Sequence, residues 1–141
     1  VFSYILSIIV STVSFIIILF KLEMVLKDLL LGSFYFLIGH ILVWYQLNGQ
    51  FIWKSFRDNE WLVAAGGFVI SFFFIWGTKY TVQAMDGLLW PARFIGFGIG
   101  MIQYAIFVQL YFKEAIGMKT AVSLAIATIL ICIQIFWKNG T

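Results

Sequence analysis

His40, and on a later stretch Arg93 and Gln103, have the strongest claim to chemistry in this chain. Each falls in an apolar run, where an ionisable or hydrogen-bonding group is expensive to bury and usually faces a cavity or a partner. The His40 imidazole titrates near neutrality when unperturbed, so it can serve as a proton-linked switch, and Trp44 lies one turn later on the same helical face. Arg93 shares an i, i+3, i+7, i+10 stripe with Gly96, Gly100 and Gln103. That stripe can line an aqueous path and hold an anionic group such as a phosphate or carboxylate. Plainer uses stand beside these. His40 can donate one hydrogen bond across a helix interface, Arg93 can snorkel to the headgroups or pair with Asp86, and Gln103, Gln109 and Gln134 can bond between helices.

Nothing else adds reactive parts. There is one histidine, and the single cysteine, Cys132, lies within the last apolar run, where it reads as a small filler. No paired nucleophile, secure intramembrane carboxylate, phosphate-binding glycine loop, CxxC or haem-binding histidine pair occurs, so neither catalytic residues nor a metal or cofactor site is expected.

The elements that must position these residues are five apolar stretches: residues 1–20, 29–47, 61–77, 88–112 and 119–137. About 20 apolar residues let a helix cross roughly 30 Å of hydrocarbon. Hydrophobic residues make up 63% of the chain and charged residues 11%, against roughly 25% charged in a soluble domain. The reading is therefore an all-α, polytopic integral membrane bundle of five transmembrane helices, one domain over 1–141. The connectors leave no room for a soluble catalytic or nucleic-acid-binding domain, and the net charge of +3 is spread along the loops as membrane anchors, so the expected partners are lipids and not nucleic acid. Residues 1–20 lack the positive flank and small-residue cleavage pattern of a secretory signal and read as a retained helix.

Connector 21–28, KLEMVLKD, carries two lysines and two acids and is expected to separate the first two helices at the membrane surface. Residues 50–60 interleave aromatic and basic residues, a pattern suited to the headgroup level. Pro91 suits a first helical turn, where a missing amide hydrogen costs little. Small residues at four-residue spacing mark close helix packing at Gly67 and Ser71, at Gly96 and Gly100 with Gly98 between them, and at Ser123 and Ala127. With five spans, Lys21, Lys27, Lys79 and Lys138 fall on one side and Lys54, Arg57, Lys113 and Lys119 on the other. This balance gives no preferred orientation and allows antiparallel pairing of two copies.

Three runs, GLLWPARFIGFGIGMI, YFKEAIGMKTAVSLAIATILICIQIF and LGSFYFLIGHILVWYQL, resemble the third helix, the last loop and helix, and the first helix of the small multidrug resistance transporters. That family belongs to the drug/metabolite transporter superfamily and has four helices, so the resemblance implies a four-helix bundle over 29–137 with 1–20 as an added helix. It implies a dimeric secondary transporter of the cell (inner) membrane working by alternating access. In that family the first helix carries a glutamate that binds substrate and protons, whereas this chain has His40 at that place. The expected solute shifts accordingly from cationic drugs to a neutral or anionic metabolite or lipid-linked group, bound by His40, Trp44, Arg93 and Gln103. The competing expectation is a non-catalytic small subunit packed in a larger membrane complex.

Overall fold

The computed structural model describes the backbone of residues 2–137 and the side chains from Ser7 onward, Ile9 excepted. Lys138, counted above among the surface anchors, lies outside the described residues. The chain forms α1 (Phe2–Ile52), α2 (Lys54–Asp58), α3 (Glu60–Ala65), α4 (Gly67–Ala84), α5 (Leu89–Phe112) and α6 (Met118–Phe136), with no strand among the described residues. Gly66 joins α3 to α4 with helical dihedrals, so Glu60–Ala84 is one apolar stretch. With α5 and α6 it gives three helices long and apolar enough to cross a membrane. This is a helical membrane protein.

Connector 21–28 does not break the chain. The separate helices expected over 1–20 and 29–47 are one 51-residue rod. KLEMVLKD holds neither glycine nor proline, and Glu23 and Lys27 stand in the i, i+4 order that supports a helix. Charges end a hydrophobic stretch without ending a helix. From Ser7 to Met24 every described side chain of the rod is exposed, and packing begins near Gly32.

From there the buried positions of α1 recur at helical spacing: Gly32, Phe36, Gly39, Trp44 and Gly49. One side of this stripe meets α4 running antiparallel. Gly32 abuts Thr81 and the Gly77 carbonyl oxygen, Gly39 abuts Phe74, and farther along the Gln46 amide donates to the Val63 carbonyl at 2.9 Å. On the other side α5 runs parallel to α1, with Phe36 against Gly96 and Trp44 against Phe107. Phe36 is the keystone. A Cβ on Gly77 would stand 2.7 Å from its ring and one on Gly96 3.1 Å, so the ring occupies notches in two helices at once. α6 returns antiparallel on the far side of α5, where Gly98 receives Ile131 and Ala127 is buried.

The turns have local causes. After α4, Asp86 and Gly87 take positive φ of 53° and 85°, and the Gly87 amide caps the Val82 carbonyl at 2.9 Å. Aspartate and glycine tolerate that conformation best. Pro91 then falls in the first turn of α5. At the other end of α5, Lys113 is left-handed and residues 113–117 run non-helically into α6.

Candidate functional site

His40 lies near the middle of the packed part of α1, and Gly96, Gly100 and Gln103 lie near the middle of α5. Parallel packing brings them to one level. The His40 Nε2 donates to the Gly96 carbonyl oxygen at 2.9 Å, which leaves Nδ1 of the neutral ring as an acceptor. That carbonyl belongs to a helix already bonded internally, so it accepts this proton through its second lone pair. Gly100 makes room for the ring: a Cβ there would collide with Cε1 and stand 2.6 Å from Nδ1. On the α4 side the Phe74 ring meets the imidazole edge-on, with centroids 5.0 Å apart at 88°.

One turn along α1, Trp44 is 2% exposed, wedged against Phe107 and Tyr111 at centroid distances of 5.2 and 5.0 Å. Its Nε1 has no hydrogen-bond partner. Gln103, one turn beyond Gly100, is 5% exposed, and its Nε2 also has no partner. Thr81, fully buried where α4 meets Gly32, holds a third unpartnered polar atom, Oγ1. A buried donor left unmet costs roughly 1–3 kcal/mol, and water cannot compensate it in hydrocarbon.

His40, Trp44 and Gln103 therefore form one polar seam between α1 and α5. Arg93 lies at its edge, exposed in the second turn of α5 while Gly96, Gly100 and Gln103 are buried, and near enough for its charge to act on His40. The packing residues divide similarly. Gly96, Gly98, Gly100 and Ala127 are buried between helices, and a Cβ added to Gly67 would stand 3.1 Å from the Gln46 amide nitrogen. Ser71 and Ser123 are exposed and bond within their own helices, to the carbonyls of Gly67 and Lys119.

Two features escaped the sequence reading. The Tyr45 and Tyr111 hydroxyls meet at 2.6 Å and tie the same ends of α1 and α5 together, and Gln46 ties α1 to α3. The available signal was the polar tip each carries at the end of an apolar run. Among the described residues no group of three or more His, Cys, Asp or Glu gathers to hold a metal ion. No protein-family model, curated protein or solved structure matches the chain.

Proposed function

We propose that this protein is a small membrane transporter of the four-helix drug/metabolite type, moving a neutral or anionic metabolite or lipid-linked group by alternating access. The observation that carries the reading is the pair of unmet donors along the α1–α5 contact that holds His40: Gln103 Nε2 near the middle of α5, and Trp44 Nε1 farther along, level with Phe107 and Tyr111. Polar residues kept only as glue between helices would bond each other. Donors held dry and vacant suit a solute that brings its own acceptors, such as carbonyl, carboxylate or phosphate oxygens. The up-down-up-down order over 29–137 supports the four-helix bundle. Arg93, exposed one turn before the seam, supplies positive charge on the approach to it.

The single-chain seam is packed, so access requires α5 to part from α1 or a second copy to complete the site. The symmetric distribution of basic residues supports an antiparallel homodimer in the cell (inner) membrane. The rod enters the proposal as two spans. At 51 residues it is about 76 Å long, more than twice the roughly 30 Å of hydrocarbon. Asp28 stands one turn before the Gly32–Thr81 contact, near the level of turn 85–88, so Lys21, Glu23, Lys27 and Asp28 mark a membrane surface. A straight rod would then carry its apolar start into water, exposing Phe15, Ile16, Ile17, Ile18 and Phe20. Each such side chain forgoes roughly 1.5–3 kcal/mol when left wet. In the membrane α1 therefore parts within 21–28 and residues 1–20 re-enter as a fifth span.

The test uses Trp44→Phe and Gln103→Leu in purified protein, read by unfolding in mixed micelles and by proton flux in liposomes supplied with small carboxylates, phosphates and polyols. The empty protein should gain about 1 kcal/mol from Gln103→Leu, since a buried unmet donor is removed, whereas in Trp44→Phe the cavity left by the smaller ring offsets that gain, and solute-coupled flux falls in both. His40→Ala should also lower flux. Unchanged flux in all three variants, or a loss of stability in Gln103→Leu, defeats the proposal.

A second reading, a subunit of a larger membrane complex, draws on the exposed row Phe68, Phe72 and Trp76 on α4, spaced i, i+4, i+8. A stoichiometric larger partner recovered in mild detergent favours it; a self-dimer favours transport.

A further inference from the structure

Outside the seam, α5 and α6 enclose a groove of about 330 Å³. It exists because the two helices touch closely at Gly98, where Ile131 and Ala127 fit, and then diverge toward the non-helical link at 113–117. Its walls are mostly apolar, including Met101, Ala105 and Leu124, with Tyr104 and Ser123 set along them, and Glu114 of the 113–117 link stands at its mouth. Eleven residues separate Met101 from Phe112, so the groove runs about 16 Å from the helix end toward the bilayer centre. That depth is about half the hydrocarbon thickness.

We infer that this groove holds one aminophospholipid of the surrounding bilayer, its primary ammonium on Glu114 and the start of an acyl chain along the apolar wall. An oily channel with a polar mouth at the headgroup level matches a lipid in its ordinary orientation. The charge lining the mouth selects the head: among the described residues Glu114 is the one charged side chain that lines the groove, Lys113 and Lys119 of the same region not being among its lining residues. The Ser123 hydroxyl donates to the Lys119 carbonyl at 3.0 Å, so its lone pairs face outward as acceptors too. A phosphatidylglycerol head brings no cation to these groups. The inference needs only that α5 and α6 lie in a membrane and stands whether or not the seam transports.

The full chain is reconstituted in vesicles of equal phosphatidylethanolamine and phosphatidylglycerol and extracted into mild detergent, and the co-purifying lipid is quantified. The wild type should retain phosphatidylethanolamine over phosphatidylglycerol by about three- to five-fold, the range of a partly exposed ion pair. Glu114→Gln should bring the ratio to about one, Glu114→Lys should invert it, and Ala105→Trp, which fills the groove, should lower total retention. Asp58→Asn removes one negative charge from exposed α2 and should leave the ratio as it was. Retention of both lipids alike by the wild type, a Glu114→Gln ratio equal to wild type, or an equal loss of selectivity in Asp58→Asn overturns the inference.

Discussion

Replacing Gly100 by alanine puts a methyl group where the His40 ring now lies. The new Cβ would collide with Cε1 and stand 2.6 Å from Nδ1 and 2.7 Å from Nε2, so the imidazole must move as a whole. Moving it strains a packed interface by about 1–3 kcal/mol and gives up the 2.9 Å bond to Gly96, worth about 0.5–1.5 kcal/mol net. Against this, alanine is the better helix former by about 1 kcal/mol. The balance is a loss of about 1–3 kcal/mol. Gly98→Ala is the comparison, because its Cβ would overlap Cδ1 and Cγ1 of one aliphatic side chain, Ile131, and stand at an ordinary 3.6 Å from the Ala127 carbonyl oxygen, with no hydrogen bond to lose. There strain and helix propensity roughly cancel, and stability should change by less than about 1 kcal/mol. In the background of His40→Ala the obstacle is gone, so Gly100→Ala should become neutral or stabilising, a coupling of about 2–4 kcal/mol across the pair. Helical circular dichroism during unfolding in mixed micelles reads all four proteins. If Gly100→Ala behaves like Gly98→Ala, or the cycle shows no coupling, the His40–Gly100 fit is not what holds the seam.

Met24→Pro tests the division of α1. Proline in an intact helix costs about 3 kcal/mol or more, whereas at a position already broken on insertion it should cost less than about 1 kcal/mol and leave membrane insertion intact. A full proline penalty at residue 24, matching that of Leu37→Pro, means that the rod stays whole. Phe36→Ala should cost about 3–5 kcal/mol, since the ring is 5% exposed and fills two notches; a loss below about 1 kcal/mol would mean that α4 and α5 close over the gap. Tyr45→Phe should destabilise by about 1 kcal/mol through the lost bond to Tyr111, and combining it with Tyr111→Phe should add little. Additive losses in the double variant would show that the hydroxyls act separately.

Composition and run length indicated a helical membrane protein, because burying a backbone in lipid leaves few alternatives to a helix. The small residues of α5 could be recognised as packing sites, but not their occupants. Gly96 receives Phe36, Gly98 receives Ile131 and Gly100 receives His40, three partners fixed by inter-helix register, which helical spacing within α5 does not encode. The same spacing placed Arg93 on the stripe of Gly96, Gly100 and Gln103. Yet it is exposed while Ala92 and Ile95 on either side are buried, because a stripe read from spacing does not mark where the contact face ends around the helix. Continuity through Lys21–Asp28 was hidden for a different reason. Hydropathy reports what a segment prefers as solvent, whereas helix propensity reports what its backbone prefers, and KLEMVLKD scores low on the first and well on the second.

The Phe36 ring, held by Gly77 on one side and Gly96 on the other, limits how the bundle can rearrange. Neither neighbour can slide lengthwise without levering the aromatic out of its companion's recess, so piston-like travel is blocked. Rolling about that axle is not. The motion open to α4 and α5 is rotation, which would turn the vacant Gln103 donor of α5 toward or away from α1 while leaving the hinge seated.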